Sequence, residues 1–124
     1  MRVLLSIKPE FANKIFDGTK QFEFRKVLFQ RKNITTIVVY VSSPIQSVIG
    51  EFTVDKIWID SVSKIWEQTY YAAGINRQAY FSYFGNKKNA IAIKIGNRKR
   101  YRKPKKLSDF SISHAPQSFV YLEE

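Results

Sequence analysis

The sequence predicts an α+β fold, a small mixed β-barrel of five to six strands with two to three short helices packed on it. Three observations lead there. Apolar, β-branched runs of strand length recur along the chain; only short segments carry helical spacing; and most strand-to-strand links are too short for crossovers. At 124 residues the chain has room for one domain, taken as residues 1–124.

Val3 to Ile7 (VLLSI) has the length and apolarity of a strand. Pro9 suits the first turn of a helix, where its missing N–H costs nothing, and Gly18 sits where a C-terminal cap is needed. Between them Phe11, Ala12, Ile15 and Phe16 recur at helical spacing. In residues 20–26 Phe22 and Phe24 alternate with Gln21, Glu23 and Arg25, the pattern of a half-buried strand. Residues 35–41 (TTIVVYV) are apolar on both faces and predict a central strand, broken by Ser42, Ser43 and Pro44. Residues 47–59 predict a long strand with a bulge or close approach at Gly50 and a change of phase near Lys56. Asp60, Ser61 and Ser63 are candidate caps for a helix that turns Val62, Ile65, Trp66, Thr69, Tyr70 and Ala73 inward, ended by Gly74. Asn76 caps a second, with Ala79, Tyr80, Tyr83 and Phe84 on one stripe and Gly85 after it. Residues 89–95 (NAIAIKI) form a strand; a basic segment follows, then a turn at 107–110 and a closing strand at 119–122.

Composition narrows the function. With no cysteine the chain has no disulfide, thiolate metal site or cysteine nucleophile, and His114 is its one histidine, so a His-rich metal centre is excluded. The N-terminal apolar run is too short for a signal peptide, and no run approaches the ~20 apolar residues of a membrane span. We therefore expect a soluble cytoplasmic protein with no cofactor, no metal, no membrane contact and no obligate protein partner. Twenty-one Lys and Arg against ten Asp and Glu leave a net charge of +11. Such a field steers polyanions to the surface, and each phosphate neutralised releases counterions. Charge of this size also serves solubility, but its clustering favours a nucleic-acid partner, RNA first.

The cluster at residues 98–106 (RKRYRKPKK) carries Arg or Lys at seven of nine positions. Arg98, Lys99, Arg100, Arg102 and Lys103 are candidate phosphate contacts, and Tyr101 among them is a candidate base-stacking ring. Pro104 is expected to keep this segment extended and off the regular ladder. A basic edge that blocks aggregation is the alternative reading.

The second constellation is Gly18, Lys20, Glu23 and Arg25. In a strand, residues 23 and 25 point to one face, roughly 6–7 Å apart, opposite Phe22 and Phe24. Lys20 stands at the strand mouth. Three such groups around a cleft can hold a phosphate with the cations and orient a base edge with the carboxylate; the alternative is an ordinary exposed ion pair. The pattern Gly-x-Lys-x-x-Glu-x-Arg after a short helix resembles the signature of the ASCH domain, a branch of the PUA-like superfamily. The entry segment IKPEFANKI, the aromatic stretch at 80–93 and the ending at 114–122 resemble it as well, so the likeness spans nearly the whole chain. It implies a PUA-like barrel with Gly18 as a structural position and Lys20, Glu23 and Arg25 along an RNA- or ligand-binding groove.

The resemblance also implies an alternative, a metal-independent ribonuclease or nucleoside hydrolase using Lys20 and Glu23, with Tyr83 or Lys20 near the reacting phosphate. In amidohydrolase-like relatives a threonine nucleophile follows the motif lysine by three residues. Here that position is Glu23, which has no hydroxyl to offer. A duplex-DNA regulator has no helix-turn-helix pattern to support it. A binding module is the favoured reading.

Overall fold

Val3, Leu4 and Leu5 are all buried because β1 (Arg2–Ile7) lies between two neighbouring strands and is covered on both faces. The computed structural model describes residues 1–123. After β1, Pro9 opens α1 (Pro9–Asp17), and Gly18 ends it in the left-handed region at φ 90°. The chain then forms the short β2 (Phe22–Arg25), β3 (Thr36–Val41) and the long β4 (Ser47–Ser61). Ser61 accepts a bond from the Lys64 N–H and caps α2 (Val62–Thr69); Asn76 does the same for Ala79 at α3 (Arg77–Phe84). β5 (Asn89–Lys105), a 3₁₀ turn at Leu107–Phe110 and β6 (Phe119–Leu122) complete the chain. No helix among the described residues is long and apolar enough to cross a membrane.

The strands lie in the order β2-β5-β4-β3-β1-β6. β1 and β3 are parallel and every other neighbouring pair is antiparallel. Register shifts interrupt the β4–β5 ladder between Val48 and Gly50, Phe52 and Val54, and Val54 and Lys56. Bulges of this kind sharpen the twist and curl a sheet. The result is barrel-like, yet the expected barrel does not close: β2 and β6 stand at opposite ends of the order and share no ladder.

Packing uses the sheet's curvature. One buried cluster gathers Leu5, Ile15, Ile37, Phe52 and Ile93; an aromatic one packs Phe22 and Phe24 of β2 with Ile65 of α2 and with Tyr80 and Phe84 of α3. A third, with Leu4, Val38 and Tyr40, is covered by Leu107 and Phe110. Tyr70 departs from the predicted inward stripe and is 62% exposed. The cause is a change of helix type: α2 stops at Thr69, and the 3₁₀ turn Tyr70–Ala72 rotates each residue further round the axis.

The basic segment is the distal half of β5. Arg98, Lys99 and Arg100 pair with Phe52, Glu51 and Gly50, and Lys105 pairs with Val48, while residues 101–104 fall in the register shift between them, so that Pro104 lies extended and off the regular ladder. β2 reaches only as far as Lys94, so beyond it β5 has one neighbour and a free edge. Pro104 is tolerated there, where a missing donor costs little.

Gly50 is a point of close backbone approach in this ladder. A Cβ there would lie 2.6 Å from the Lys99 carbonyl oxygen and 2.7 Å from the Phe16 ring. Gly50→Ala is therefore expected to lower the unfolding free energy by about 1–3 kcal/mol, measured by urea denaturation. Unchanged stability would show that the strands are not in close contact here.

Candidate functional site

The turn after α1 sets the site. Asp17 Oδ1 accepts from the Thr19 N–H (2.8 Å) and hydroxyl (2.7 Å), and with Gly18 it reverses the chain into β2. Lys20 is thereby turned inward and is only 2% exposed. Its Nζ donates to the Ala73 carbonyl at 2.7 Å and lies 5.1 Å and 4.8 Å from the centres of the Phe11 and Phe24 rings. Gly74, at φ +67°, makes room for it, since a Cβ there would fall 2.5 Å from the lysine's own Cβ and Cγ. Burial pulls the Lys20 ammonium down to about 8; Glu23 opposes the shift and Lys14 adds to it.

Glu23 and Arg25 share one face of β2, as the alternation required, but neither belongs to an exposed pair. Arg25 Nη1 donates to Glu23 Oε2 at 3.1 Å, with the side chains 12% and 8% exposed. The same guanidinium donates to the Ser6 carbonyl (3.3 Å) and to the carbonyl (3.2 Å) and hydroxyl (2.8 Å) of Ser118. Ser6 Oγ donates to the Pro116 carbonyl at 2.7 Å. β2, the end of β1 and the segment before β6 are thus tied at one point.

Above them opens a cavity of about 330 Å³. Phe11, Phe24 and Ile75 give it apolar walls; Lys20, Glu23 and Arg25 give it polar ones. Lys8, Tyr83 and Gln117 also line it, and all three are exposed. The Tyr83 hydroxyl donates to the Phe24 carbonyl at 3.5 Å, and burial raises its phenol above the usual value while Arg25 pulls against it. Lys26 Nζ sits 4.8 Å from the centre of the Tyr83 ring, placing a second cation at the mouth.

The basic segment divides by function. Arg98 turns inward: its Nε donates to the Ile15 carbonyl at 2.6 Å and Nη2 to the Lys20 carbonyl at 3.4 Å. It therefore supports the C-terminal end of α1, where a cation is favoured. Arg100 lies 5.2 Å over the Phe16 ring. Tyr101 donates its hydroxyl to Glu51 Oε1 at 2.8 Å, and Lys105 Nζ lies 4.5 Å over its ring. Burial and Glu51 hold its proton above the ordinary phenol range. Lys99, Arg102 and Lys103 are exposed and line an open groove with Tyr101 and Lys105.

Lys20, Glu23 and Arg25 are brought together by the fold; Lys99, Tyr101, Arg102 and Lys103 line a separate surface, and Arg98 turns inward to the Lys20 carbonyl. Ser6, Lys8, Ile75 and Gln117 at the cavity, and Ser118 beside Arg25, are not among the residues that the sequence pattern singles out. The one signal for Ser6 was a polar residue inside an apolar strand. His114 is exposed.

A family model described as "ASCH domain" matches residues 5–99, which take in every lining residue of the cavity except Gln117 and stop before most of the basic segment. The chain is 35% identical over 122 residues to a stretch of the ATP synthase subunit alpha of Ureaplasma parvum, covering 98% of this chain and 15% of that much longer protein. It is 29% identical over 125 residues to an "ASCH domain-containing ribonuclease" of Zymomonas mobilis, covering 98% of this chain and 84% of that one. A crystal structure of ASCH from Zymomonas mobilis superposes with a TM-score of 0.90 at 28% identity, over 99% of this chain and 88% of the other.

The buried lysine predicts a pH dependence. Its pKa is about 8 here against 10.5 in an unfolded chain, so between those values the unfolded state holds more protons. Stability then rises with pH. The unfolding free energy of the protein relative to Lys20→Met is expected to climb from pH 7 to pH 10, read from urea titrations. A difference that stays flat would show that the ammonium is not desolvated.

Proposed function

The chain belongs to the ASCH domain family, and on that premise we propose that it binds single-stranded RNA, taking one unstacked nucleotide into the cavity over β2. The observation that supports this best is the cavity's make-up. About 330 Å³ is at the small end of ligand sites, and apolar and aromatic walls surround a few fixed polar groups. Single-stranded RNA is read in this manner, with a splayed base lying against aromatic side chains and its edge hydrogen-bonded.

The rest of the strand needs cations, and the surface supplies them. Lys8 and Lys26 stand at the mouth. Lys99, Arg102 and Lys103 extend a basic groove along the free edge of β5. Arg98, Arg100 and Tyr101 play a supporting part in this reading, holding α1 and the third cluster while adding to the field. RNA is preferred to DNA because the Zymomonas relative is named as a ribonuclease.

A second reading is RNA cleavage at the same cavity. It is favoured by Lys20, whose amine changes charge near pH 8 beside a carboxylate. There Glu23 takes the proton of a 2′-hydroxyl as its oxygen bonds to phosphorus, the bond from phosphorus to the 5′-oxygen breaks, and the Lys20 ammonium gives that leaving oxygen a proton. Incubation of labelled RNA with the protein and with Lys20→Ala, with and without a chelator, separates the two: cleavage abolished in the variant supports the second reading, and intact RNA removes it.

Replacing Lys99, Arg102 and Lys103 together by Ala is expected to weaken binding of a short single-stranded RNA. The slope of log affinity against log salt should flatten by about 0.7 for each phosphate that is no longer neutralised. Equal slopes for variant and parent, measured by fluorescence anisotropy, would remove β5 from the interface.

A further inference from the structure

The cations of the cavity are already occupied. The four contacts of Arg25 take up both terminal nitrogens of its guanidinium, all of them to protein oxygens. Lys20 is committed to Ala73 and flanked by two phenyl rings. Neither group is arranged to receive a phosphate.

Glu23 is arranged differently. Arg25 holds its Oε2, while among the described residues no donor reaches Oε1. Among the described residues no fully buried side-chain oxygen lacks a partner, so Oε1 is not sealed off, and Glu23 lines the cavity. A carboxylate oxygen at the foot of an apolar cleft repels phosphate and carbonyl groups and accepts only from N–H or O–H donors. We infer that the cavity is a base pocket selective for bases bearing an exocyclic amine (cytosine, adenine or guanine) over uracil, with Glu23 Oε1 accepting from the amine.

The selectivity follows from the edges of the bases. Cytosine and adenine present an amine beside a ring nitrogen acceptor, and guanine presents its amine beside a ring N–H. All three offer the carboxylate an N–H that is not hemmed in by oxygens. Uracil offers only a ring N–H between two carbonyls, which would bring an oxygen towards Oε1 on either side. Carboxylates recognise the cytosine amine in the same way in duplex readout. The phosphates then stay outside, along Lys8 and Lys26.

This inference rests on the RNA reading, and one experiment separates the two. Ten-nucleotide oligouridine RNAs, unmodified or carrying one central C, A or G, are titrated against the full chain by fluorescence anisotropy. The substituted RNAs are expected to bind about tenfold tighter or more than oligouridine. Glu23→Gln, whose amide both donates and accepts, is expected to bring that ratio towards one; a circular-dichroism melt confirms that it folds. Should the variant not fold, the base panel on the unaltered protein still decides. Oligouridine binding as tightly as the others overturns the base preference alone. No binding of any of the four RNAs at low salt overturns the RNA reading and this inference with it.

Discussion

The guanidinium of Arg25 is the group on which the site depends. It joins β2 through Glu23, the end of β1 through Ser6, and the segment before β6 through Ser118. These three pieces come from positions 6, 23 and 118, and β2 and β6 are at opposite ends of the sheet order. The sheet's own hydrogen bonds leave this gap open; Arg25 bridges it with charge-assisted bonds. Its removal would leave the Glu23 carboxylate buried without its partner, a change that typically costs about 3–5 kcal/mol.

The chemistry of the cavity follows from that bridge. Since Arg25 is used up by the protein, the positive charge expected to face a ligand is largely neutralised inside, and the free cations lie at the mouth and along β5. Lys20 fits the same division. Its burial under Gly74 takes its ammonium out of water and ties it to a carbonyl, so it acts as a directed donor rather than a point charge seeking phosphate. The interior is suited to a base and the exterior to a backbone, which is how a single strand divides its own chemistry.

Much of this was legible from local pattern. Pro9 and Gly18 bracketed α1, Ser61 and Asn76 capped the later helices, and the phase change near Lys56 marked a bulge, because each is decided by a few neighbouring residues. The pairing of Glu23 with Arg25 on one face followed from the two-residue period of a strand. What was not legible depends on distant partners. The same period cannot say whether that face is wet, and burial of the pair comes from Ser6 and Ser118. The run at 98–106 read as one basic unit, yet Arg98 and Tyr101 are turned to Ile15 and Glu51, contacts set by the β4–β5 register. Closure of the barrel was out of reach for the same reason, being a relation between the first and last strands of the sheet order.

A crystal structure of the protein with a short cytidine-containing RNA is the decisive measurement for this division between cavity and surface. One base is expected inside the cavity, its amine within hydrogen-bond distance of Glu23 Oε1, with the adjoining phosphates beside Lys8 and Lys26. A phosphate seated against Lys20 and Arg25, or RNA lying only along β5 with the cavity unused, would contradict it.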